Sequence, residues 1–204
     1  MTSLKLLNKY KSWQLKKNIG ENIIEFDSYL SPLVCDYIEA EALPVIAHFI
    51  RHPYTWIQSI GNFKAASWRR HAVDILPFTY VVHPVAREEW SQMDKILKLA
   101  WSWRFINERI LETQSPNSVY KLFKFEDFVS ENTDLRLDTL RNIISFLHQH
   151  EITNVQDIDV SMKLNKSNAD SISNWQEWPV NTLNKVNEIC GDLMRRFDYE
   201  ACDQ

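Results

Sequence analysis

The segment Arg51-His52-Pro53-Tyr54-Thr55-Trp56-Ile57-Gln58-Ser59 carries the sharpest chemical signal in the chain. An apolar, β-branched run over residues 44–50 ends at Arg51, and Pro53 suits the first position of a helix, where a missing N–H is no loss. This order places Arg51 at the carboxyl end of a strand, the edge at which open α/β sheets take their ligands. Ser59 follows His52 by seven residues, about two helical turns, which returns it to the face beneath the helix start. A guanidinium fork, a hydroxyl and a helix N-terminus would then converge on one anion-sized volume. The plain alternative is a surface ion pair for Arg51 and a serine merely tolerated in a helix.

Other candidate groups are weaker. His148 and His150 close a helical pattern with only Glu151 beside them, which reads as a solvated helix end rather than a metal site. Trp90, Trp101 and Trp103 read as helix packing. Trp68, Arg69, Arg70 and His71 form either a cation-π surface cluster or a contact for a substrate. Cys35, Cys190 and Cys202 are odd in number and lack CxxC spacing, which argues against a disulfide framework or zinc site and for a reducing, cytoplasmic compartment.

The elements that must position these residues alternate in type. Residues 22–26 and 44–50 are short, nearly continuous apolar runs, the pattern of strands covered on both faces, and 118–125 is a third, more alternating strand. Helical spacing is expected over 31–42, 53–63, 87–112, 135–148 and 179–197. Together these predict an α/β fold, a parallel sheet flanked by helices. Residues 64–86 and 152–178 fall outside the alternation as long loops, a feature associated with function or disorder.

Composition sets outer limits. The 204 residues are 45% hydrophobic and 25% charged, an ordinary globular composition, and fit one domain spanning 1–204. Three glycines occur, Gly20, Gly61 and Gly191, where about fourteen would be average, and none are close together. That excludes glycine-rich phosphate loops and the GxSxG nucleophile elbow. A net charge of −4 lacks the basic footprint of a general nucleic-acid binder. Lys5, Lys9, Lys11, Lys16 and Lys17 make residues 1–21 locally basic, which reads as the solvated face of a short helix. No apolar run approaches the roughly 20 residues of a membrane span, and the start has no signal-peptide pattern.

With Arg51, Pro53 and Ser59 in place, the chain resembles the sulfotransferases that use 3′-phosphoadenosine 5′-phosphosulfate, in their bacterial and carbohydrate-type branch. The Arg-x-Pro motif with serine eight residues after the arginine is similar to that family's 3′-phosphate site. Ile24-Glu25-Phe26-Asp27-Ser28-Tyr29-Leu30-Ser31-Pro32 resembles the segment that puts a glutamate at a strand end. Lys124-Phe125-Glu126-Asp127-Phe128 resembles the family's Tyr-Glu-Asp-Leu strand, and residues 165–199 its C-terminal end. The match covers about residues 22–200, four motifs in the family's order.

The resemblance implies a P-loop-NTPase-like sulfotransferase fold, with 3′-phosphoadenosine 5′-phosphosulfate as sulfuryl donor, a hydroxyl or amine acceptor and no metal. It implies that Arg51 and Ser59 hold the 3′-phosphate, that Glu25 is the general base with Asp27 as its rival, and that Asn165, Lys166 and Ser167 belong to a segment closing over the nucleotide. The departures are as specific. The family's N-terminal glycine- and Ser/Thr-rich loop, which wraps the 5′-phosphosulfate, has no counterpart in the 24 residues before Glu25, and Phe125 stands where the family has tyrosine. The expectation is therefore a sulfotransferase-like chain truncated at its N-terminus, keeping the 3′ half of the cofactor site and lacking the 5′ half. A strand missing from the sheet would leave an edge open to self-association or to a partner chain. Two rival expectations are a non-catalytic fragment that binds a 3′-phosphorylated nucleotide and a structural helical module in which Arg51 and Ser59 are incidental.

Overall fold

A computed structural model of the chain describes residues 45–62, 85–112, 114, 118–148 and 172–200. The expected strand at 22–26 and helix at 31–42 lie outside these residues, as do Trp68, Arg69, Arg70 and His71. Two compact units divide the chain, one from Met1–Ile50 with Asn107–Met162 and the other from Arg51–Ile106 with Lys163–Gln204.

The first unit is built on two strands, β1 (Val45–Ile50) and β2 (Val119–Lys124), paired in parallel from Val45↔Val119 to Ile50↔Lys124. Side chains alternate across a strand, so Ile46, His48 and Ile50 share one face and Phe49 the other. His48 and Ile50 are buried, whereas Phe49 is exposed and stacks on its register partner Phe123 with ring centroids 5.6 Å apart. The Lys121 ammonium lies 5.3 Å from the Phe123 ring centroid and 5.9 Å from that of Phe146.

Strand β2 gives way at Phe125 to a four-residue helix, so the expected strand ends one residue early. A longer helix, Thr133–His148, then packs against both strands. It starts two residues before the expected position because Asn132 caps it. The Asn132 Oδ1 accepts from the N–H groups of Asp134 and Leu135 at 3.0 and 3.2 Å, satisfying first-turn donors that have no partner within the helix.

The second unit is helical among its described residues. In chain order it holds α1 (Pro53–Gly61), α2 (Arg87–Gln92), α3 (Lys95–Leu111, as far as Ile106), a 3₁₀ turn (Trp175–Glu177) and α4 (Val180–Arg196). The single helix expected over 87–112 is two helices. Met93 is extended, with ψ of 135°, and the Asp94 carboxylate accepts from the Leu97 N–H at 2.9 Å, capping a new helix where apolar periodicity alone would run straight through.

Trp101, Trp103 and Phe105 from α3 and Leu183, Val186, Cys190, Leu193 and Met194 from α4 form the core of this unit. Trp101 stacks on Phe105 and meets Trp90 edge-on, as expected of packing residues. The Cys190 thiol is buried and donates to the Ala100 carbonyl at 3.5 Å. At the end of α1 Gly61 lies close under the Ile172 side chain, so a Cβ there would force Ile172 to shift. Asn62 fixes that approach by bonding both the C=O and the N–H of Ile172, at 2.8 and 2.7 Å.

Candidate functional site

Arg51 follows the last residue of β1 and precedes α1, as its position in the sequence requires. Two bonds hold it. Its carbonyl accepts from the Trp103 indole N–H at 2.9 Å, and its Nε–H donates to the Thr55 hydroxyl at 3.0 Å. Thr55 Oγ1 in turn donates to the His52 carbonyl at 3.1 Å, so the guanidinium is drawn over the first turn of α1. Thr55 and Ser59 are four residues apart on this helix and share a face. Arg51, Thr55 and Ser59, all half-buried, thus follow one another at four-residue spacing along one side of the helix entry.

The residue before a proline is confined to extended backbone, and His52 obeys with φ of −52° and ψ of 131°. Its ring is the helix cap, with Nδ1 accepting from the Tyr54 N–H at 3.3 Å. Nε2 therefore carries the ring proton and donates to the Glu200 carbonyl at 3.2 Å.

Tyr199 packs edge-on to His52 at 5.1 Å. It is brought there by a reversal after α4, in which Asp198 takes the left-handed conformation with φ of 53° and the Tyr199 N–H bonds the Met194 carbonyl at 2.9 Å. Tyr54 is fully buried against Trp175 and Trp178, and its hydroxyl donates to Asn187 Oδ1.

These contacts correct one part of the expected anion site. The start of α1 offers fewer donors than a bare helix N-terminus, because Pro53 has no N–H and that of Tyr54 is taken by His52. The candidate groups for an anion are the Arg51 guanidinium and the Ser59 hydroxyl, with Thr55, whose own proton goes to the His52 carbonyl, positioning the guanidinium. Thr55 was missed in the sequence, although its place midway between Arg51 and Ser59 was the available signal. Glu25, Asn165, Lys166 and Ser167 lie outside the described residues.

A second cluster, also missed, lies in the sheet-bearing unit. His48 is buried, with Nε2 2.8 Å from Asn107 Oδ1 and Nδ1 2.7 Å from the Tyr120 hydroxyl. An amide oxygen only accepts, so Nε2 bears the proton and Tyr120 donates to Nδ1, leaving the ring neutral. Burial lowers its pKa from 6.5 to about 4, against the opposing pull of the Asn107 hydrogen bond. The sequence signal was a polar residue at the buried parity of an apolar strand.

Among the described residues no group of His, Cys, Asp and Glu could hold a metal ion, and no helix is long and apolar enough to cross a membrane. Comparison of the chain with models of known protein families, with curated proteins and with solved structures returns no match.

Proposed function

We propose that this chain is a sulfotransferase-like protein that binds a 3′-phosphorylated adenine nucleotide at Arg51 and Ser59, with Thr55 positioning the arginine. The observation that carries this reading is the Arg51 guanidinium held over the first turn of α1 by its 3.0 Å bond to Thr55, one helical turn before Ser59. A guanidinium oriented over the start of a helix is a planar, permanently charged donor, which suits a phosphate better than a mobile lysine would. The parallel pairing of β1 with β2, and the helices beside them, fit a P-loop-like sulfotransferase fold.

In the reaction this implies, an acceptor hydroxyl or amine attacks the sulfur of 3′-phosphoadenosine 5′-phosphosulfate. A new bond to sulfur forms as the bond from sulfur to the bridging phosphate oxygen breaks, and adenosine 3′,5′-bisphosphate leaves. Glu25 takes the acceptor proton, with Asn165, Lys166 and Ser167 closing over the nucleotide. The glycines favour a second reading, a nucleotide-binding chain without turnover. Of the three in the sequence, Gly61 and Gly191 lie within helices, Gly61 in close approach to Ile172.

Calorimetric titration with adenosine 3′,5′-bisphosphate tests the site. Saturable binding is expected in the native chain, weakened about tenfold or more in Arg51→Ala, the worth of one charge-assisted hydrogen bond. A folded native chain that takes up no nucleotide, or binding unchanged in Arg51→Ala, would overturn the proposal. Sulfuryl transfer abolished by Glu25→Gln separates the catalytic from the non-catalytic reading.

A further inference from the structure

We infer that His52 is a pH-sensitive clasp, tying the segment after α4 to the start of α1 and opening when its ring takes up a proton. One imidazole makes both connections. Its Nδ1 accepts from the Tyr54 N–H at 3.3 Å, and its Nε2 donates to the Glu200 carbonyl at 3.2 Å. An amide N–H only donates and a carbonyl oxygen only accepts, so the pair of bonds needs the neutral ring, with one acceptor and one donor.

Protonation removes the acceptor. Both nitrogens of an imidazolium donate, so Nδ1 would face the Tyr54 N–H donor against donor. The ring must turn away, and in turning it gives up the Glu200 carbonyl as well. The positive end of the α1 macrodipole lies beside the ring and opposes its charge in the same direction. The ring is half-buried and its Nε2 bond lies at the surface, so protons reach it from solvent. Imidazole is also the side chain that ordinarily changes charge between about pH 5 and 8. An asparagine in its place would cap the helix without titrating.

Among the described residues, the titratable and charged groups around the ring come from three places. Tyr54 on α1 and Tyr199 after α4 meet it at 4.8 and 5.1 Å between ring centroids, and phenols are uncharged where histidine titrates. Asp198 and Glu200 flank Tyr199, and their carboxylates would favour a charged ring, whereas the Arg51 guanidinium on the preceding residue would oppose one. These charges set where the clasp opens. That it opens rests on the hydrogen bond at Nδ1, whose direction protonation reverses whatever the surroundings. Opening returns the Tyr54 N–H to the start of α1. The inference needs no nucleotide, and it stands or falls apart from the reading of Arg51.

The test is nuclear magnetic resonance on the full chain from about pH 8 down to 5. It follows the His52 ring nitrogens together with the exchange protection of the Tyr54 amide, corrected for the intrinsic pH dependence of exchange. At the alkaline end the ring is expected to carry its proton on Nε2. Tyr54 protection should then fall about fivefold along the His52 titration, the worth of one helix cap, while the Val186 and Leu193 amides in α4 keep theirs. His52→Asn should hold Tyr54 protection flat across the range, and Glu200→Gln, which keeps the carbonyl, should retain the native response. A ring protonated on Nδ1 alone, Tyr54 protection that ignores the His52 titration, or a loss shared equally by α4 overturns the inference. So does a native-like response in His52→Asn or an abolished one in Glu200→Gln, and the native titration decides alone where a variant fails to fold.

Discussion

The two units bury polar groups by different means, and the difference sets what each is sensitive to. In the sheet-bearing unit the imidazole of His48 is enclosed and neutral, held by Asn107 and Tyr120. A proton added there would turn the acceptor Nδ1 into a donor facing a hydroxyl that already donates. In the helical unit the buried polar groups among the described residues do not titrate near neutral pH: the Trp103 indole bonded to Arg51, the Trp178 indole bonded to Ser173 and the Asn62 amide bonded to Ile172. Its bidentate ion pair, Arg104 with Asp192 at 2.7 and 2.8 Å, is partly exposed. Acid therefore attacks the interior of one unit and only the surface of the other.

The largest expected effect would break that asymmetry. The His48 pKa is about 4 when folded, against 6.5 unperturbed, so the unfolded chain takes up the proton first. Its contribution to stability is complete above pH 6.5 and is lost as pH falls toward 4, by about 3 kcal/mol in order of magnitude. The described tryptophans lie in the helical unit, so with Trp13 replaced by phenylalanine their fluorescence reports on that unit and amide exchange in β1 on the other. Between these pH values protection in β1 should fall while the fluorescence holds, and His48→Gln should flatten the exchange profile. Equal acid sensitivity of both signals would remove the contrast.

A smaller effect tests how tightly the helical unit is packed. Gly61→Ala drives a methyl into Ile172 and should cost about 1–3 kcal/mol in urea unfolding, with Ile172→Val restoring part of the loss because it removes the clashing Cδ1. A cost that the second substitution leaves unchanged would place the strain elsewhere.

The smallest effect belongs to the surface ion pair. Burial raises the Asp192 pKa, but the Arg104 hydrogen bond and charge outweigh it and leave the carboxyl below its ordinary 3.8. Its stabilisation is thus present above that value and lost as pH falls through the depressed one. Solvent screening limits Asp192→Asn to under about 1 kcal/mol at neutral pH, and a larger loss in urea unfolding would show that the helical unit also depends on charge.

Much of the local structure was legible in advance. The strands at 45–50 and 119–124 and the helices at 53–61, 133–148 and 180–196 follow apolar periodicity with small boundary shifts. The break before Asp94 was not read, because a capping aspartate inside an apolar repeat looks like any other solvent-facing acid. Of the proposed nucleotide site, Arg51 and Ser59 were visible as a spacing. Thr55 shared that spacing, but its bond to the Arg51 guanidinium depends on a rotamer that the spacing does not fix. His48 stood at the buried parity of an apolar strand, which marks it as enclosed but not by which partners.

By itself the sequence determined the chemistry that depends on neighbours along the chain. This includes the proline start of α1, the extended backbone of His52 before it, the four-residue spacing of Arg51, Thr55 and Ser59, and the caps at Asp94 and Asn132. Tertiary structure decided what depends on residues far apart in sequence: Asn107 and Tyr120 closing on His48, and Ile172 packing over Gly61. The physical reason is that torsions, caps and helical faces are set within a turn or two of chain, whereas burial and hydrogen-bond partnership exist only once distant segments have packed.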